Sequence, residues 1–528
     1  MSKKKQSDAH IPDSFPYQLT NLHALLLCGC IGLGYIVYSF FSDGFYQQDE
    51  AAHFLNMRTF WFKPEIIMGN WAKPGYKLLF VIPALLGPMA LVVVNSLVSA
   101  LTCFITYKLA QRLKVRIPAI AIALLALQPF WLQLSFRNYS EPISALLLVS
   151  AVYAHYVDKR WIAALLLSYI ATIRQEIYPI IALYGLFLLY KRNWMPVLLL
   201  ASFPLVQHIA GWGFFGDPLY LFNQLTSKSA SAAKEWPRQG FEHYFRMAPT
   251  IFGGVALSFL LVYAVQGVIK KQKWHWFVVI PALVYLAEHI VFNTKFLDLG
   301  PSTGGNLRYL IVVSPLFAVL GSIGIDRLIK ERTFPEKRYA LFVLVPFALL
   351  VFLFLSYAHN NIKLNPGEAD YAPLVTVLLT MTLIFFAHSA KHWLYGTCVL
   401  IVISTMLVVR PLPRSAEDTK VAEFTAWAKQ QDFEERPILA THTMMWYFWG
   451  KIREEFDEGA GWINEDTVAE AEPGSIIIWD SHYSYRPNLR EKQLMYTWFL
   501  ERPDQFKQVS QPWVTPDRRF GIFVFEKL

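Results

Sequence analysis

Apolar stretches long enough to cross a bilayer recur along this chain from Leu22 to Val409. Hydrocarbon offers no hydrogen-bond partners, so each crossing segment must pair its own backbone groups, and a helix does this within one segment. Thirteen spans are predicted, near 22–41, 88–107, 117–135, 141–157, 161–173, 177–190, 195–213, 249–269, 276–292, 308–326, 339–357, 371–388 and 393–410. The fifth and sixth fall short of the roughly 20 residues a full crossing needs. They can be read as one kinked pair broken at Arg174-Gln-Glu176. A composition 55% hydrophobic, with mean hydropathy +0.33, argues against a soluble globular protein. The expected fold class is a polytopic α-helical membrane protein of about 11–13 spans with a small C-terminal α/β extracytoplasmic domain.

The formal charge of +9 invites a nucleic-acid partner, but the excess lies in short loops between apolar segments, where it fixes orientation. No nucleic acid is expected. With the N-terminus in the cytoplasm and the spans alternating, the inner loops receive Lys108/Arg112/Lys114/Arg116, Lys159/Arg160, Lys191/Arg192 and Lys270/Lys271/Lys273. They also receive the basic run from Arg327 to Arg338, and Lys391. Lys3, Lys4 and Lys5 precede the first apolar segment, and no small-residue cleavage site follows it, so it reads as a retained span. This arrangement is compatible with a bacterial inner (plasma) membrane.

Residues 1–410 form the expected membrane domain, with a first outer loop at 42–87. From Pro411 onward charges become frequent. Short β-like runs at 437–442, 475–480 and 520–525 alternate with helical patterns at 418–430 and 488–501, as in a small α/β domain over 411–528. Cys28, Cys30, Cys103 and Cys398 all lie in apolar segments, which leaves no disulfide framework and no cysteine-ligated zinc outside the membrane.

The unusual polar residues then converge on the outer face. Asp49, Glu50 and His53 follow the first span, beside hydrocarbon, where an ionisable group is costly to keep and is a functional candidate by default. Asp49 and His53 share a helical face at i, i+4, which suits an oriented general base or two ligands of a divalent cation. A helix cap, or a salt bridge with Arg58 or Lys63, is the simpler alternative. Arg137 and Glu141 also stand at i, i+4 and can form a structural pair capping the fourth span. Arg174 and Glu176 interrupt an apolar run; the guanidinium there can grip a phosphate bidentately or pair with Glu176 or Glu141. Arg308-Tyr309 opens the tenth span, either binding at headgroup level or snorkelling. Asp217, Lys295 and Asp298 occupy neighbouring outer loops.

These residues together resemble a known family. An acidic pair directly after span one resembles the GT-C superfamily of polytopic glycosyltransferases that use polyprenyl-phosphate sugars. Tyr139-Ser-Glu-Pro-Ile143 resembles the start of their fourth span, and Ala171-Thr-Ile-Arg-Gln-Glu176 their arginine-containing break. Arg308-Tyr-Leu310 with Pro315 resembles another of their spans, and Pro473-Gly-Ser-Ile-Ile-Ile-Trp-Asp480 the strand of an appended outer domain. Within the superfamily the chain looks most like bacterial mannosyltransferases and protein O-mannosyltransferases, with aminoarabinose transferases more distant. Gln47-Gln48 stands where eukaryotic mannosyltransferases carry His-Pro.

The resemblance implies transfer of a mannose-type hexose from a polyprenyl-phosphate donor to a glycan, lipid or protein acceptor, with membrane lipids around the site. Asp49 would be the general base, with Glu50 and His53 orienting it or the acceptor. Arg174 and Arg308 would hold the lipid phosphate, with Lys73 or Lys295 as further cations. Arg137, Glu141, Glu176 and Tyr309 would line the substrate site. Some relatives bind a divalent cation (Mg or Mn) at the acidic site and others do not; Asp49 and His53 are the ligands implied here. A transporter or flippase of lipid-linked sugars is the alternative from another class. Against it, the chain shows no pseudo-repeated halves, and its charges gather at one face instead of the midplane. A third alternative, an assembly or polymer-binding protein working through its outer domain, leaves the first-loop acids without a task.

Overall fold

The computed structural model describes residues 19–68, 73–226, 238–293, 304–331, 372–386, 390–452, 463–485 and 494–528. Lys3 to Lys5, Lys295, Asp298, the basic residues from Arg332 to Arg338, the expected span 339–357 and the start of the helical pattern 488–501 lie outside them.

The chain is a multi-pass helical protein. Asn21–Ser39, Pro88–Arg112, Trp194–Phe215, Trp276–Asn293 and Leu307–Leu328 are long and apolar enough to cross a membrane. Burial separates their places in the bundle. The Leu307–Leu328 segment is 94% buried and forms its centre, whereas Asn21–Ser39 is 22% buried and turns most of its surface outward.

Three of the expected spans are interrupted, and only the interruption at Arg174 was expected. The expected span 117–135 divides into Ala119–Ala126 and Pro129–Leu134, because Pro129 lacks the N–H needed to continue a helix and suits its first turn. The expected helix 249–269 instead starts at Gly254, and His243–Phe252 meets it at 117°. Gly253 makes that corner with φ 76°, and a Cβ there would lie 2.9 Å from Pro129. The short fifth and sixth segments are Arg160–Ala171 and Tyr178–Tyr190, separated at Arg174 by extended backbone and the 3-10 turn Gln175–Ile177.

The first loop is more structured than expected. It holds the helix Asp49–Thr59, a 3-10 turn Pro64–Ile67 and the helix Pro74–Leu85. The last, at 12 residues, is too short to cross, yet it exposes Leu78, Leu79, Ile82 and Leu85. Such an apolar outer stripe suits a helix lying in the membrane interface.

Past residue 410 a five-stranded sheet forms from β1 (Ile438–Ala440), β2 (Ile476–Asp480), β3 (Phe506–Gln508), β4 (Trp513–Val514) and β5 (Gly521–Lys527). Its order is β1-β2-β5-β3, with β4 also on β5; β1 and β2 run parallel and the other pairs antiparallel. The two short strands β3 and β4 carry little apolar pattern and were not anticipated. The helix Asp49–Thr59 bridges the two regions. It places Ala51 in the core beneath the sheet, with Phe424, Met445 and Ile478. Phe54 and Met57 pack on the other side against Tyr76, Phe80, Leu91 and Ile143.

Candidate active site

Asp49 is the first residue of its helix, where the unpaired N–H groups and the helix dipole favour a carboxylate. Its Oδ2 accepts from Arg308 Nη2 at 2.8 Å, and its side chain remains 32% exposed while Arg308 is 5% exposed. The expected partners Arg58 and Lys63 are not used; Arg58 donates to the Gly450 carbonyl. Glu50 turns the opposite way. It is buried, accepts from the Tyr46 N–H at 2.8 Å and lies 3.4 Å from Arg137 Nη1. Burial raises its pKa, and Arg137 and the Tyr46 bond work against that rise. Two adjacent acids thus divide into one that faces outward and one locked in place.

Beside Asp49 lies a charge cluster drawn from distant parts of the sequence. Glu141, fully buried at the start of the helix Ser140–Tyr156, accepts from Arg174 Nη1 at 2.7 Å and lies 3.4 Å from Arg308 Nε. Arg174 also donates to Glu176 at 2.8 Å. Tyr309 packs between the two guanidiniums, 4.6 Å from that of Arg174 and 5.5 Å from that of Arg308, whose other face covers Tyr139 at 4.5 Å. Lys73 completes the cluster, donating from Nζ to Ser140 Oγ at 2.9 Å. It holds φ 55°, a left-handed conformation that is costly for a lysine and unusual before proline. Burial lowers its pKa to about 8, against the pull of Glu141.

Donor atoms in this cluster remain unspent. Arg308 Nε and Nη1 and Arg174 Nε are buried without a hydrogen-bond partner among the described residues. Buried guanidinium donors are seldom left so, and an anion such as a phosphate is the group that would satisfy them.

Arg137 is placed differently from expectation. Its guanidinium donates to the carbonyls of Gly44, Gln133 and Ser42, to Ser42 Oγ at 3.0 Å and to Glu50. It pairs with Glu50 instead of Glu141, and it has few donors left for a substrate. Its geometry is that of a clamp on the loop leading to Asp49. The Asp49–His53 cation site also fits poorly. His53 is 1% exposed, its ring stands 5.6 Å from that of Tyr76, and burial together with Lys77, Lys73 and Arg308 pushes its pKa well below the usual range. A divalent cation there would face these same positive groups, while Asp49 is already paired.

A contact from the C-terminal region reaches the residue before Asp49. Gln48 Nε2 donates to Glu417 Oε1 at 2.8 Å, and its Oε1 accepts from Tyr483. The same Glu417 oxygen receives His442 Nε2 at 3.0 Å and His482 Nδ1 at 2.7 Å. Burial opposes the Glu417 charge, but the two histidine bonds hold its carboxyl below the ordinary range. Glu417, His442 and His482 offer one ligand atom each within 4.8 Å, a donor set known for divalent metals. His442 Nδ1, however, accepts from the Met444 N–H at 3.2 Å, so the neutral ring keeps its proton on Nε2, the atom a metal would need. The trio reads as a hydrogen-bonded clasp.

Sequence reasoning passed over these clasp residues, buried Lys77, and Tyr285, Glu288 and His289 on Trp276–Asn293. The last group carried a signal, since Glu288-His289 is an ionisable pair inside a span. The clasp carried none, because its members lie far apart in the chain.

No family model matches the chain, and no curated protein matches it. Solved structures do. ArnT from Cupriavidus metallidurans in the apo state aligns with TM-score 0.56 at 12% identity, covering 95% of this chain and 97% of that one. The same protein bound to undecaprenyl phosphate aligns with TM-score 0.57 at 11% identity over the same shares. At such identity the likeness speaks for architecture alone: a multi-pass helical membrane region with a small sheet-containing C-terminal part, the fold that ArnT has.

Proposed function

We propose that the protein is an integral-membrane glycosyltransferase that moves a sugar, a mannose-type hexose in the favoured reading, from a polyprenyl-phosphate donor to an acceptor hydroxyl on the outer face of the membrane. The observation that carries this is the buried Arg308, which gives Nη2 to Asp49, sets Nε 3.4 Å from Glu141 without a hydrogen bond, and has no partner for Nη1 among the described residues. An acid and a cation with a donor to spare at one spot are the two groups that displacement of a phosphate by a hydroxyl requires. ArnT, which shares this fold, has been solved with undecaprenyl phosphate, a lipid of the donor's class.

Asp49 takes the proton of the acceptor hydroxyl. The acceptor oxygen bonds to the anomeric carbon as the bond from that carbon to the phosphate oxygen breaks. The polyprenyl phosphate departs with the electron pair, and the configuration inverts. Arg308, Arg174 and Lys73 stabilise the departing phosphate, a task for positioned cations in a dry site. Phosphate also competes with Asp49 for Arg308. Donor binding would therefore loosen the ion pair and release the carboxylate as a base when it is needed.

The test replaces Asp49 with Asn and measures sugar transfer from polyprenyl-phosphate donors in detergent. Loss of turnover by about 10²-fold or more, with donor affinity retained, is expected for a missing general base. Full activity in the variant would remove Asp49 from that role.

A further inference from the structure

The helix Trp276–Asn293 carries three polar side chains, each with a buried atom left over. Tyr285 Oη, Glu288 Oε2 and His289 Nε2 are buried atoms without a hydrogen-bond partner among the described residues. Tyr285 and His289 are fully buried. Their spacing of i, i+3 and i+4 puts all three on one face of the helix. That face meets the cluster described above: the His289 ring lies 5.6 Å from Tyr309, which itself packs on Arg174 and Arg308. The Tyr285 ring lies 4.6 Å from His289, and Tyr244 closes the other side at 6.2 Å.

The chemistry of the three atoms differs from that of the arginines. His289 Nδ1 faces the Tyr285 carbonyl at 2.9 Å, and a carbonyl only accepts, so Nδ1 holds the proton and Nε2 presents a lone pair. Glu288 Oε2 also presents lone pairs, and the Tyr285 hydroxyl both donates and accepts. This wall offers acceptors and no cation. It is ill suited to phosphate and well suited to hydroxyl groups, while the rings of Tyr309, His289 and Tyr285 give an apolar face for the carbons of a sugar. Polar atoms buried unpaired are rare and call for an explanation.

We infer that Tyr285, Glu288 and His289 form the subsite that grips the hydroxyls of the donor's hexose, one step along Tyr309 from the arginines that hold its phosphate. This rests on the donor class proposed above, and the experiment separates the two. Purified full-length protein in lipid nanodiscs is titrated with undecaprenyl-phosphate mannose, glucose and galactose, and with bare undecaprenyl phosphate. The quantity read is the ratio of sugar-bearing to bare-carrier affinity, in wild type and in Tyr285→Phe, Glu288→Leu and His289→Phe.

The subsite reading expects each variant to lower that ratio about tenfold for the hexose the wild type prefers, as loss of a buried hydrogen bond does. Bare-carrier affinity should hold, which also reports that the variant is folded. An unchanged ratio overturns the subsite, as does a wild type that binds the bare carrier but none of the three sugar carriers. A wild type that binds no polyprenyl phosphate at all overturns the donor class itself.

Discussion

Lys73 gives the sharpest pH prediction, because burial has moved its ammonium into an accessible range. Its pKa of about 8 lies below the ordinary 10.5, and its Nζ sits on Ser140 beside Glu141, where the proposed donor phosphate would be held. Phosphate binding needs the charged form. Above about pH 7, where the carrier phosphate has passed its own second ionisation near pH 6, affinity should be flat to about pH 8 and then fall about tenfold per pH unit, the slope for one linked proton, which is about 1.4 kcal/mol for each unit. Stability of the ligand-free protein should move the other way. The folded-state pKa is depressed, so the charged lysine costs stability fully below about pH 8, and that cost is released as pH rises toward 10.5. Lys73→Arg, which keeps its charge throughout, should abolish both trends. The assay is titration with undecaprenyl phosphate in nanodiscs across this range, with thermal unfolding alongside. A flat wild-type affinity, or an identical slope in Lys73→Arg, would refute the reasoning. His53 adds no step near its ordinary value, since burial and the neighbouring cations hold it neutral there.

Two further outcomes are expected. Arg137→Ala strips a buried partner from Glu50 and leaves the carbonyls of Gly44, Gln133 and Ser42 without their donor. Loss of about 3–5 kcal/mol is expected in unfolding measurements, and adding Glu50→Gln should recover part of it; strict additivity of the two changes would deny the pairing. Glu417→Ala removes one anchor of Gln48, leaving Tyr483 on its other amide atom, without touching the arginine cluster. Turnover should drop about ten- to a hundredfold through misplacement of Asp49, with the donor KM unchanged; a raised KM and normal kcat would point to a different role.

Much of this was legible in the chain because apolar periodicity and stray charges are strong signals in a membrane protein. The break at Arg174 was visible as a charged tripeptide in an apolar run, and the helix does end there. The acidic pair was visible for the same reason. What the residues did not reveal was how each charge is spent. Arg137 and Arg308 look alike in sequence, both arginines at the edge of a span. One is consumed by main-chain carbonyls that only the folded first loop brings to it, and the other has two nitrogens with no hydrogen bond among the described residues. The corner at Gly253 was missed because the apolar run continues through it, and only the close approach of Pro129 fixes the bend. Pro74–Leu85 falls inside the expected outer loop 42–87, because a 12-residue apolar helix is too short to signal a crossing.

The position of Asp49 is therefore set by three parts of the molecule that share no sequence neighbourhood. Asn138 Nδ2 donates to the Glu50 carbonyl at 2.8 Å, and Asn306 Nδ2 to Gln47 Oε1 at 3.3 Å, so the membrane region grips both sides of the residue pair. Gln48 is held from the C-terminal region through Glu417 and Tyr483. Ala51, the third residue of the helix, is buried in the core under the sheet. An acid at a helix N-terminus, free to rotate, would pair with any nearby cation. Held at residues 47, 48 and 50, Asp49 keeps its freedom only in its own side chain, which can let go of Arg308 without the backbone moving. This is the arrangement a base needs if it is to be released by the phosphate that replaces it, and it gives the C-terminal region a mechanical role in the proposed transfer.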